Sequence, residues 1–308
     1  MTQDRPAAGP DRVGAGTGLA VTSVASVQFG AAIAAHLFSR VGPLGTVSLR
    51  LVGAAIVLIA VTRPWRREWT RREFATSLLF GAVFTVMNAS LYLAIDRLPL
   101  AIVITLEFLG PLGVSLATAT GWRTRVWAGP AAVGVALLGG TVAGGGDLAG
   151  VAFALLAACC WAGYILLSGR VGRTGSGVAG LAVGSVLGAV VMAPVGALAA
   201  GADLLRPSTL AIGLSVGVLS SAIPYSLDLL ALRRLPTAVF GVLTSLNPGM
   251  AALAGFLLLG QTPSADQAVG VALVMVASVG VTVTSRRRRG PVPADVPEAE
   301  AAVHDLVP

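Results

Sequence analysis

Residues 93–111 read LAIDRLPLAIVITLEFLGP, and residues 230–248 read LALRRLPTAVFGVLTSLNP. Leu93, Ala94, Arg97, Leu98, Pro99, Ala101, Leu106 and Pro111 recur as Leu230, Ala231, Arg234, Leu235, Pro236, Ala238, Leu243 and Pro248, at a constant offset of 137 with no gap. Leucine and alanine are common throughout the chain. Two prolines and an arginine in fixed register are not a product of composition. Each copy reads as an R-L-P turn opening an apolar helix that a second proline interrupts near its middle.

The rest of the chain sets the solvent for those helices. Of 308 residues, 55% are hydrophobic and only 11% are charged. A soluble domain carries about 25% charged residues, so this composition excludes a soluble enzyme and long disorder alike. Thirty-nine glycines suit membrane helices packed backbone to backbone. The net charge of +7 rests on arginine, since there is no lysine, and lysine-based covalent chemistry is therefore absent. Nucleic-acid binding needs a basic face, whereas these arginines occupy short gaps between apolar runs. Cys159 and Cys160 adjoin in one apolar run, which offers neither a disulfide framework nor a metal-ligand spacing. They are expected to be buried packing residues, and neither a metal nor a cofactor is expected.

One helical crossing takes roughly 20 apolar residues. The runs predict ten spans, near 18–38, 44–62, 74–94, 99–119, 126–142, 148–168, 176–199, 209–231, 236–258 and 264–284. The first is read as a retained span rather than a signal peptide, because nine more follow it. With the N-terminus inside, seventeen arginines fall in cytoplasmic segments and three, Arg40, Arg97 and Arg206, outside, with Arg50 within a span. Both termini are then cytoplasmic. Trp65, Trp69, Trp122 and Trp127 fall at the inner interface, as aromatic anchors do. The offset carries the fourth span onto the ninth, five spans later. Five is odd, so the second copy enters the membrane upside down. The expected fold is therefore an all-α integral membrane protein, ten transmembrane helices in two inverted five-helix repeats. The expected units are an N-terminal tail over 1–17, repeats over 18–142 and 148–284, and a basic, then acidic and Pro-rich tail over 285–308. Inverted repeats with paired interruptions, here Pro111 and Pro248, are the architecture of alternating-access carriers.

The chain resembles the EamA-type ten-helix carriers of the drug/metabolite transporter superfamily and, within these, the threonine/homoserine exporters of bacterial inner membranes. The resemblance is carried by VASVQFGAAIAAHLF (24–38), VSLRLVGAAIVLIAVTRPWR (47–66), TLEFLGPLGVSLA (105–117), ACCWAGYILLSG (158–169) and IPYSLDLLALRRLPTAVFGVLTSLNPGMAALAGFLLLGQ (223–261). It implies two five-helix halves and export of small hydrophilic amino acids or related metabolites from the cytoplasm. Protons are the expected coupling partner. Oligomeric state, monomer or homodimer, is left open.

Ionisable residues inside a bilayer are costly and mark function by default. At about 1.5 Å per residue, Arg50 and Asn88 lie roughly 9 Å below the outer helix ends, Glu107 about 12 Å and Gln28 about 15 Å. Two readings of Arg50 and Glu107 follow. They form a permanent buried ion pair, or they receive the carboxylate and ammonium of a zwitterionic ligand, with the guanidinium fork suited to a carboxylate. The second copy places Thr244 where Glu107 stands, so the fold itself does not demand the charge. Tyr164, Trp161 and Asn247 are further candidates for the substrate path. Pro224, Tyr225 and Asp228 are candidates for an inner gate beside Pro111 and Pro248. Asp228 also reads as a local ion pair with Arg233 or Arg234, and His36 as an interfacial residue. Gly180, Gly184 and Gly188 place a small-residue stripe on the seventh span, suited to internal packing or a dimer seam. The Gly213–Gly217 run matches a G-x-S-x-G pattern, but it lies in an apolar helix with no histidine base nearby, so an enzyme is not expected. A passive channel is disfavoured because selective pores assemble rings of groups by symmetry.

Overall fold

The computed structural model describes residues 10–119, 121–143, 147–173, 177–232 and 234–286, and they contain helices and no strand. The helices are α1 (Pro10–Ala35), α2 (Phe38–Thr62), α3 (Arg71–Ile95), α4 (Leu100–Glu107), α5 (Leu109–Ala117), α6 (Trp122–Arg125) and α7 (Ala128–Ala143). They continue as α8 (Leu148–Arg173), α9 (Gly177–Ala200), α10 (Pro207–Gly217), α11 (Ile223–Leu232), α12 (Thr237–Thr244), α13 (Asn247–Leu259) and α14 (Ala265–Arg286). A π turn, Val218–Ala222, joins α10 to α11.

Among the described residues, eight segments are long and apolar enough to cross a membrane. The expected fifth and eighth spans are not among these segments. Helix α7 is described over 16 residues, up to residue 143, about 24 Å against a hydrocarbon core of about 30 Å. The eighth is divided by the π turn, whose neighbour Pro224 has no N–H for the carbonyl of residue 220.

Packing rests on close approach of small residues. Helix α2 lies along α9, α3 along α8 and α9, α7 along α14, and α1 against α11 and α13. Gly81 of α3 meets Gly184 of α9, where a Cβ on Gly81 would sit 2.4 Å from the Gly184 Cα. Gly188 lies against Thr85 and Leu51, so Gly184 and Gly188 of the stripe on the seventh span serve internal packing. The two R-L-P turns receive helix starts in the same manner. Gly16 of α1 sits against Leu235 and Arg234, and Gly150 of α8 against Leu98 and Arg97, with Leu Cγ atoms 2.7 and 2.8 Å from the respective Cβ positions. Two distant stretches thus make one contact twice, in exchanged roles.

Hydroxyls in these apolar helices satisfy themselves locally. Thr46, Thr85, Thr105, Ser215 and Thr282 each donate to the carbonyl four residues earlier. Ser215, the centre of the G-x-S-x-G run, is one of these, and the flanking Gly213 and Gly217 pack on Leu49 and on the Arg50 carbonyl. At the turn before α3, Thr70 and Glu73 form a reciprocal capping box, and Arg67 pairs with Glu73 at 2.6 Å. Trp65 and Trp122 are exposed at this end of the bundle. Trp127 instead packs on Gly280 with Leu112, Ala131, Ala277 and Val281. The expectation for the cysteines fails, since Cys159 is exposed and Cys160 only half-buried. In a run where every position is apolar, periodicity does not mark which face packs and which meets lipid.

Candidate functional site

Both R-L-P helices break one turn before their second proline. Pro111 has no N–H to offer the Glu107 carbonyl, and α4 ends at Glu107, with α5 restarting at Leu109. Pro248 likewise has none for the Thr244 carbonyl, and α12 ends at Thr244, with α13 restarting at Asn247. The two breaks are repaired differently. Asn247 Nδ2 donates to the Thr244 carbonyl at 2.8 Å, replacing the missing backbone donor. The matching residue in the first copy is Gly110, where a Cβ would come within 2.2 Å of the Ala158 carbonyl oxygen. No side chain fits there, so that break has no equivalent cap.

The breaks flank a cavity of about 360 Å³ between α1, α2, α3, α4, α5, α8, the π turn, α11, α12 and α13. Of the residues singled out in the sequence, Gln28, Arg50, Asn88, Glu107, Pro111, Trp161, Tyr164, Pro224, Asp228 and Asn247 line it. Pro248 is buried at the start of α13 and does not line it. Tyr225 falls in α11, with its side chain outside the described residues.

The charges in the wall decide what the cavity can hold. Glu107 is 5% exposed. Among the described residues no cation or hydrogen-bond donor lies within bonding distance of its carboxylate, although the Arg50 charge acts on it electrostatically. The Arg50 guanidinium lies over the ring of fully buried Tyr92, 5.4 Å from its centroid, and Phe38 packs on the same ring. Arg50 and Glu107 therefore share a cavity without forming the direct ion pair that one reading of the sequence expects. Two opposite charges held apart across a small space suit a ligand bearing both signs.

Around them, Asn88 is 1% exposed and donates to the Phe84 carbonyl at 2.8 Å. Gln28, on α1, donates through Nε2 to Asn247 Oδ1 at 2.7 Å. Tyr164 stacks on Phe80 and Phe84, and Trp161 meets Phe108 edge-on, so both aromatics are packed and line the cavity. Asp228 makes no ion pair with Arg234, which donates to the Leu230 carbonyl. Arg233 lies outside the described residues. Asp228 faces the cavity near Ser23.

The sequence reading missed the serines of this wall. Ser23, Ser220 and Ser221 line the cavity. Ser26 donates to the Leu219 carbonyl at 2.7 Å and Ser23 to the Pro224 carbonyl at 3.3 Å, so α1 holds the π turn and the start of α11 through their backbone oxygens. The signal was Pro224, which removes the helical partner of the Ser220 carbonyl and demands irregular backbone nearby.

At the far end of the cavity, Leu98, Leu100, Ile102 and Val103 are buried, and Leu100 N donates to Gln261 Oε1 at 2.9 Å. Beside them Arg97 Nη1 binds Asp147 Oδ2 at 2.5 Å. Asp147 also accepts from the amides of Ala149 and Gly150 at the start of α8. The Arg97 guanidinium and those amides hold its carboxyl below the usual carboxylate range. His36 is exposed in the turn between α1 and α2.

Comparison with known proteins bears on this arrangement. The chain is 40% identical over 267 residues to the threonine/homoserine exporter RhtA of Salmonella typhimurium strain LT2, covering 86% of this chain and 90% of that protein. It is 40% identical over 269 residues to RhtA of Escherichia coli strain K12, covering 87% and 91%. An uncharacterized transporter of Bacillus subtilis, YwfM, is 27% identical over 143 residues, 46% of this chain and 48% of its own. A solved crystal structure, described only as that of a protein, matches 90% of this chain and 99% of its own with TM-score 0.55 and 22% identity, a likeness of fold alone. The sequence pattern of the EamA-like transporter family covers residues 148–283, the stretch that holds the second R-L-P helix, the π turn and Asp228. A polar cavity walled by broken apolar helices and 40% identity to the RhtA exporters over nearly the whole chain lead to one conclusion: the chain is a multi-pass membrane protein of the EamA-like transporter family.

Proposed function

We propose that this protein exports small hydrophilic amino acids of the threonine and homoserine type across the bacterial cytoplasmic membrane. The observation that carries the reading is the unpaired arrangement of Arg50 and Glu107 on one cavity. A zwitterion fits it, with its carboxylate on the guanidinium and its ammonium on Glu107. The named activity of relatives that match nearly end to end supports the same cargo.

The transport cycle in this reading is alternating access by two inverted halves, with ten crossings and both termini cytoplasmic. The exchanged contacts of Gly16 and Gly150 with the two R-L-P turns support the inversion. Residues 18–142 and 148–284 are the halves, and residues 1–17 and 285–308 the tails. Export is coupled to entry of protons, with Glu107 as the carrier and Asp228 as a polar group toward the cytoplasmic mouth. The broken helices at Pro111, Pro248 and Pro224 are the places where the halves bend. Burial of Leu98, Leu100, Ile102 and Val103 and the Arg97–Asp147 pair support this stretch as the outer gate of that cycle.

The experiment is tolerance of cells to excess homoserine. Cells expressing the protein grow at otherwise inhibitory homoserine and hold less of it inside than cells expressing Glu107→Gln. With equal amounts of folded protein in the membrane, intracellular homoserine as high as in cells without the protein contradicts the cargo, and equally lowered homoserine with both variants contradicts the role of Glu107.

A further inference from the structure

The hydrogen-bond order around the second break fixes the polarity of one side of the cavity. It begins at Pro248, which lacks the N–H that the Thr244 carbonyl would receive in a helix. Asn247 supplies the donor through Nδ2. An amide that turns its NH₂ one way presents its oxygen the other way. Asn247 therefore offers Oδ1 to Gln28, and Gln28 must answer with Nε2, as it does at 2.7 Å. Gln28 Oε1 is left over. The side chain is 2% exposed, it lines the cavity, and Oε1 is buried without a hydrogen-bond partner. Flipping the Gln28 amide would set two oxygens against each other, and flipping Asn247 would set its oxygen against the Thr244 carbonyl. The orientation is thus dictated from a proline on another helix.

A buried acceptor without a donor is a cost that a ligand can remove. Ser220 Oγ, on the same cavity, is buried and equally without a partner. We infer that Gln28 is a specificity-determining residue whose Oε1 accepts a hydrogen bond from the cargo's side-chain hydroxyl, so that hydroxy amino acids are selected over their methyl isosteres. This rests on the amino-acid exporter reading and adds to it the group that reads the side chain. A site built to bond a hydroxyl rejects an isostere without one strongly, because the protein's own polar group is then stranded. A purely apolar pocket of the same shape distinguishes them weakly.

The test uses the full chain in proteoliposomes, with threonine and valine as cargo, since valine replaces the hydroxyl of threonine with a methyl group. The wild-type protein favours threonine by at least about tenfold in half-saturating concentration. Gln28→Met keeps the length but cannot accept in the same way, and it erases that advantage by weakening threonine alone. Equal weakening of threonine and valine, or an unchanged preference, overturns the inference, because Gln28 then serves the shared amino-acid backbone, a water or the fold. A second arm needs no variant. O-methylthreonine has a side-chain oxygen that cannot donate, and it competes with threonine transport no better than valine does. Competition equal to that of threonine itself overturns the inference even where Gln28→Met does not fold. Transport of neither threonine nor valine by the folded wild-type protein removes the exporter reading, and this inference falls with it.

Discussion

Replacing Arg50 by lysine separates the two readings of the central charges. Lysine keeps the positive charge but loses the planar fork that meets both oxygens of a carboxylate. In the structure Arg50 has no ion pair to lose within the protein, and its contact is the face of Tyr92 at 5.4 Å. Folding should therefore change by no more than the cation–π contact supplies, about 0.5–2 kcal/mol. A ligand that loses one charge-assisted hydrogen bond loses about 1.5–3 kcal/mol, roughly ten- to 150-fold in affinity. Breaking a buried ion pair would instead cost the fold about 3–5 kcal/mol. The assay pairs thermal unfolding in detergent with the concentration dependence of threonine efflux from proteoliposomes. Half-saturation raised tenfold or more with a nearly unchanged midpoint is the expected outcome. A collapsed midpoint, or unaltered half-saturation in well-folded protein, refutes the reasoning.

Three further outcomes follow from the geometry. Glu107→Gln keeps the shape of the buried side chain but removes its titrating group, so stimulation of efflux by a pH gradient disappears; stimulation equal to wild type shows that Glu107 is not the proton carrier. Gly81→Ala places a Cβ 2.4 Å from the Gly184 backbone, and overpacking of this kind costs about 1–3 kcal/mol, read as a lowered unfolding midpoint; an unchanged midpoint contradicts the packing of α3 on α9. Asp147 has a depressed carboxyl value, so its contribution is present at neutral pH and is lost as pH falls through that lowered value. The wild-type protein should accordingly unfold at a higher temperature than Asp147→Asn at pH 7, with the gap closing in acid; a gap independent of pH contradicts the Arg97 pairing.

The polar wall was legible because polar and ionisable residues are scarce in apolar spans. Gln28, Arg50, Asn88, Glu107 and Asn247 stand out against alanine, valine and leucine, and all five line one cavity. The offset of 137 gave the matching breaks at Glu107 and Thr244, since a missing N–H acts one turn before the proline wherever it falls. Serines were silent for the opposite reason. A serine in such a helix usually bonds its own backbone, as Ser215 does, so Ser23 and Ser26 reaching across to another helix carry no mark in the sequence. The Arg97–Asp147 pair joins residues fifty positions apart, and neither lies in an apolar run that would flag it. Cys159 was misread because lipid and protein interior select the same apolar side chains.

The most direct measurement is efflux of labelled threonine or homoserine from proteoliposomes holding the purified chain, with and without an external medium made acid relative to the lumen. The account predicts efflux well above that of protein-free vesicles, accelerated when protons can run inward. Efflux no faster than in protein-free vesicles, from protein shown to be folded and reconstituted, contradicts the cargo. Efflux indifferent to the gradient contradicts the coupling.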